Sequence, residues 1–150
     1  MTLALHARDE EDLAVLSAYL QDAVGVVGDM AYLPKSRRFA LVVSRFIWER
    51  EAKAGLFQSA VPQRVRSGVH FDGIERVQVQ NLPQQDKDTA FDLLTIGFAG
   101  SGSDDDPSGT IELTFAGGGV LRLSAECIDA YLSDMGEPWP VKSRPRHPDA

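Results

Sequence analysis

An α+β domain built on antiparallel strands is the fold class this sequence predicts. Three observations carry the prediction. A short amphipathic helical stretch opens the chain, apolar residues alternate along much of residues 39–125, and turn-forming residues separate the alternating runs. The 150 residues, of which 43% are hydrophobic and 25% charged, fit one domain over residues 1–140 with a polar, proline-rich tail over 141–150.

The helix is expected over residues 10–24. Asp9 stands at the N-cap, Glu10, Glu11 and Asp12 suit the positive end of the helix dipole, and Leu13, Leu16, Leu20 and Val24 recur on one face. A short run, Met30 to Leu33, precedes Pro34-Lys35-Ser36-Arg37, a turn sequence that leads into a long strand over 39–48. That strand is apolar on both faces, so it belongs in the middle of the sheet. Residues 49–63 lose periodicity and read as a loop.

A second hairpin is expected over 64–80 around Asp72-Gly73. A three-residue loop opposes Val65 to Val79 and puts most apolar residues on one face. Phe91 to Ala99 is a strand, and Gly100 to Gly109 an acidic loop. A third hairpin, 110–125, turns at Gly117-Gly118-Gly119 and pairs Phe115 with Leu121, Leu113 with Leu123 and Ile111 with Ala125. Ser124 then caps a final helix carrying Ile128, Tyr131, Leu132 and Met135, stopped by Gly136. About seven strands with an N-terminal helix and a C-terminal capping helix is the plan of a partly closed, pleckstrin-homology-like barrel. An antiparallel sheet with two helices on one face is the alternative.

The net charge of −7 is unevenly spread: residues 35–76 hold nine bases and four acids, and residues 77–136 hold two bases and ten acids. The acidic total argues against general nucleic-acid binding. Met1 to Arg8 has no basic start followed by an apolar stretch, and no apolar run reaches membrane-spanning length, so a cytoplasmic setting is expected.

No residue pattern assigns a catalytic role, a metal or a cofactor. Cys127 lies in the first turn of the expected last helix, where a thiol is acidified, but Glu126 and Asp129 oppose that; it reads as structural. Asp104, Asp105 and Asp106 are consecutive and lack the spacing of a cation loop. Gly117 to Gly119 joins two strands rather than a strand and a helix, so it is turn chemistry. His70 reads as a solvated hairpin histidine. The binding candidates are the basic residues Lys35, Arg37, Arg38, Arg45, Arg64 and Arg66, with His70 beside them and Trp139 between two prolines.

The blocks Leu13 to Gly28, Asp29 to Val43, Arg66 to Phe71 and Gly109 to Asp134 resemble a proteobacterial family, domain of unknown function 2948. The resemblance covers most of residues 3–146. It implies no activity and no catalytic residues, and its genes' frequent neighbourhood to histidinol dehydrogenase implies a housekeeping setting. The expected function is a non-enzymatic accessory or protein-binding domain, a monomer or homodimer with a protein partner. A phosphorylated-ligand protein using the bases near His70, or a weak RNA binder, are the alternatives.

Overall fold

The computed structural model describes residues 2–53 and 61–145. Ten strands form one antiparallel sheet: β1 (Ala4–Ala7), β2 (Ala23–Val26), β3 (Met30–Leu33), β4 (Arg38–Phe46), β5 (Gln63–Phe71), β6 (Ile74–Gln80), β7 (Ala90–Gly100), β8 (Gly109–Phe115), β9 (Val120–Ala125) and β10 (Ala130–Pro140). Helix α1 (Glu10–Tyr19) and the short α2 (Trp48–Lys53) complete the elements, with a 3-10 turn over 27–29. The strand order is β1-β10-β5-β4-β2-β7-β8-β9-β6, and β3 pairs with β4 beside β2.

Helix α1 starts where the sequence requires. The Asp9 carboxylate accepts from the Asp12 backbone N–H at 2.8 Å, and Leu13 and Leu16 are buried against the sheet. It ends at Tyr19, short of the expected residue 24. Asp22 takes a φ of 60°, and Ala23 to Val26, with two β-branched valines, pair with β7 instead. The expected long central strand is β4, flanked by β5 on one side and by β2 and β3 on the other.

Three expectations are corrected. The final helix is a strand: residues 130–140 form β10, hydrogen-bonded between β1 and β5. Its burial alternates, with Ala130 and Leu132 inside and Tyr131 and Ser133 outside. Cys127 therefore sits in a bend rather than at a helix N-terminus. Against the expected seven strands, the described residues form ten.

The 64–80 hairpin does not pair with itself. β5 lies between β4 and β10, whereas β6 pairs with β9. Asp72-Gly73 is a corner. Its backbone bonds go elsewhere, from Asp72 N–H to the Asp129 carbonyl and from Ile74 N–H to the Arg37 carbonyl, each at 2.9 Å.

The 110–125 hairpin forms with the expected faces but slides by two residues, pairing Leu113 with Leu121 and Ile111 with Leu123. The loop is Ala116-Gly117-Gly118, closed by Phe115 N–H on the Gly119 carbonyl at 2.9 Å. Gly117 and Gly118 supply the positive φ values of 89° and 93°, and Gly119 is left to the strand pair. The expected loop at 49–63 begins as α2; residues 54–60 lie outside the described residues, as do 146–150 of the expected tail.

The inner face of the curled sheet, closed at one side by α1, holds one core. Phe39, Leu41, Val43, Phe71, Ile74, Leu113 and Leu123 are among its residues.

Candidate functional site

The candidate basic residues do not converge. They separate into three settings, each fixed by strand alternation.

The first setting is the β3–β4 turn and the corner it meets. Arg37 pairs with Glu126. Arg38 holds Asp72 with two bonds, at 2.8 and 3.2 Å. His70 sits 3.2 Å from the same carboxylate. Burial would raise the Asp72 carboxyl, but the Arg38 bond and the His70 ring outweigh it and hold it below its ordinary value. The His70 ring stacks on Tyr131, with ring centroids 4.4 Å apart, and His6 stacks on Tyr131's other side at 4.0 Å. The three rings are one cross-strand row, since His6 opposes Tyr131 and Tyr131 opposes His70. Arg8 Nε donates to His6 Nδ1 at 3.3 Å, so His6 Nε2–H donates to Asp129, 2.6 Å away. Burial, then Asp129, push the Tyr131 hydroxyl above its usual value. This arrangement is an interlocked surface row whose acids already satisfy Arg38, His70 and His6. Lys35 stands exposed in the turn beside it.

The second setting is internal. Arg45 lies on the same β4 face as Phe39, Leu41 and Val43 and is 1% exposed. Its guanidinium donates to Asp134 from Nε and Nη2, both at 2.8 Å, and to Glu49 of α2 at 3.0 and 2.8 Å. Asp134 also accepts from Ser67 Oγ at 2.8 Å and from the Leu3 backbone N–H at 3.0 Å. Burial disfavours every one of these charges. The pairing wins, raising the arginine and lowering both carboxyls from their ordinary values. The Tyr19 ring covers the guanidinium at 5.7 Å. A cavity of about 390 Å³ adjoins this cluster. Two carboxylates on one arginine leave it no positive field, so it suits a clamp between β1, β4, β5, β10 and α2 rather than an anion site.

The third setting is the outer face of β5 and β10. Arg64 donates to the Ser44 carbonyl at 2.8 Å and lies 5.9 Å from the Phe46 ring; burial lowers it from its ordinary value. Trp139 opposes Arg64, and Met135 opposes Arg66. Arg66 is exposed and takes part in none of the ion pairs among the described residues. Met135 is 44% exposed and Trp139 39%. Val61, 63% exposed, precedes Pro62, whose carbonyl accepts from Val141 N–H just past Trp139. Between Met135 and Trp139 the register slips, and Gly136 takes a φ of 77°. The irregularity keeps Trp139 against β5 after Met135.

Sequence reasoning named Arg64, Arg66 and Trp139 but missed Met135 as a surface residue, because a helical stripe had claimed it for the core. It also missed the His6–Tyr131–His70 row, which needs strand pairing to appear. Among the described residues no group of three or more His, Cys, Asp and Glu side chains is placed to hold a metal ion, and no helix is long and apolar enough to cross a membrane.

A family model described as "Protein of unknown function (DUF2948)" matches residues 3–147. No curated protein and no solved structure matches the chain.

Proposed function

We propose, from the premise that this chain belongs to the DUF2948 family and receives no activity from membership, that it is a protein-binding domain. Its docking surface is the outer face of β5 and β10. The observation that carries this reading is the cross-strand grouping of Met135 and Trp139 with Arg66: two large exposed apolar side chains beside a cation with no ion pair among the described residues. Apolar anchors of this kind supply most of the energy of an interface, and a neighbouring charge sets its orientation. The partner surface that complements it is apolar at the centre with an acidic group opposite Arg66. The same proposal reads the curled sheet as a pleckstrin-homology-like barrel left unsealed, and places the domain in the cytoplasm. Support for the former is one ladder wound around one core.

The test is affinity capture from native lysate with the intact chain and with a Met135→Ala/Trp139→Ala double variant. The wild type retains a partner that the double variant releases. Equal retention by both, or no retained partner under several salt conditions, contradicts the assignment.

A further inference from the structure

The branch strand β3 and the terminal strand β6 line one cleft without pairing with each other. Among the described residues β3 pairs only with β4, and β6 only with β9. Between them lies a cleft of about 150 Å³, walled by Met30 and Tyr32 from β3 and by Val77 and Val79 from β6, over the core residues Phe39 and Leu121. The four wall residues are half-buried and pack on the core.

The seam is tied at both ends. Tyr32 Oη donates to the Ile74 carbonyl at 2.7 Å at one end. At the other, the segment after β6 comes back across it, and Gly28 N–H donates to the Lys87 carbonyl at 2.8 Å. The free stretch of β3 is four residues. That corresponds to about 13 Å of extended chain.

These features specify an occupant. The unpaired edges of β3 and β6 turn backbone donors and acceptors toward the slot, and only an extended polypeptide answers both rows while inserting alternate side chains. A slot closed at both ends suits a chain terminus, which needs one exit, over a mid-chain segment, which needs two. The one charged lining residue is Lys87, which takes part in none of the ion pairs among the described residues. A terminal carboxylate complements it. We propose that the β3–β6 seam binds the carboxyl-terminal residues of a partner polypeptide as an added strand, with alternate apolar side chains in the cleft and the terminal carboxylate on Lys87. This surface is separate from the β5–β10 face and stands without it.

The test selects short random peptides with free carboxyl termini on the intact chain and measures the enriched sequences by fluorescence anisotropy. Enriched peptides end in alternating apolar residues and protect backbone amides of β3 and β6 from hydrogen exchange. Amidating their terminus, or Lys87→Glu, weakens binding about tenfold, or about 1.4 kcal/mol. Val79→Lys, a half-buried edge position, removes binding with the circular dichroism spectrum unchanged. The Met135→Ala/Trp139→Ala variant binds these peptides as the wild type does. Peptides that bind equally well as amides, that protect amides on β5 and β10 instead, or that are not enriched over selection on Val79→Lys overturn the proposal. So does octanoate filling the cleft with no peptide enriched.

Discussion

Arg45 shows how a strand position decides what a charged residue does. Its own type suggests a surface base, but it continues the series Phe39, Leu41, Val43 and therefore points inward. Once inside, it must be neutralised, and Asp134 and Glu49 do that. Removing one member leaves a buried charge without its partner. Asp134→Ala is therefore expected to cost about 3–5 kcal/mol, measured by urea unfolding. Arg45→Met with Asp134→Leu, Ser67→Ala and Glu49→Gln removes every charge of the cluster and is expected to recover most of that loss, because no lone charge remains. The pH dependence follows from the direction of the shifts. Asp134 lies below its ordinary value of 3.8 in the folded chain. Its contribution is complete above that value and is lost as pH falls through the lower folded value. Stability is thus expected to fall steeply on acidification below the ordinary value of 3.8, and less steeply in Asp134→Asn, as read by thermal melts across an acid pH series. The parity of Arg45 with Val43 and the nearness of Glu49 were present in the sequence; the pairing with Asp134, 89 residues on, was not.

At the scale of elements, β10 is the instructive case. Ile128, Tyr131, Leu132 and Met135 satisfy a helical period, but Ala130, Leu132 and Asp134 alternate with Tyr131, Ser133 and Met135 just as well. A short apolar run does not distinguish the two. Pairing with β5 and β1 decides it, and Gly136, which reads as a helix stop, serves instead at an irregularity in the strand. The two readings differ in a simple experiment. Leu132 is buried and Met135 exposed. Leu132→Ala is expected to cost about 2–5 kcal/mol in chemical unfolding, whereas Met135→Lys stays within roughly 0.5 kcal/mol of the wild type. Comparable losses at both positions contradict the strand. Much else at this scale was legible: the capped helix α1, the β3–β4 turn, the central β4 and the glycine hairpin were all set by local chemistry. The corner at Asp72-Gly73 was not legible, because a tight turn between two strands has the same local sequence whether the strands pair with each other or with others. The two-residue slide in the β8–β9 register kept every face, so alternation alone does not detect it.

For the whole molecule, the charge layout and the sheet explain each other. Three arginines of the basic middle are answered by acids: Arg37 by Glu126, Arg38 by Asp72, and Arg45 by Asp134 and Glu49. Folding thereby neutralises half of the six bases that looked like a ligand site in the sequence. What remains for recognition is an apolar outer face around Met135 and Trp139 and an unsealed seam at Met30. Each surface carries a methionine, and the chain has three. The most direct measurement is the ε-methyl NMR spectrum of the methionines during titration with the captured partner. The Met135 signal is expected to shift or broaden in step with binding, and the Met30 signal to move only when a carboxyl-terminal peptide occupies the seam. A Met135 signal that stays in place while the partner is bound contradicts this expectation.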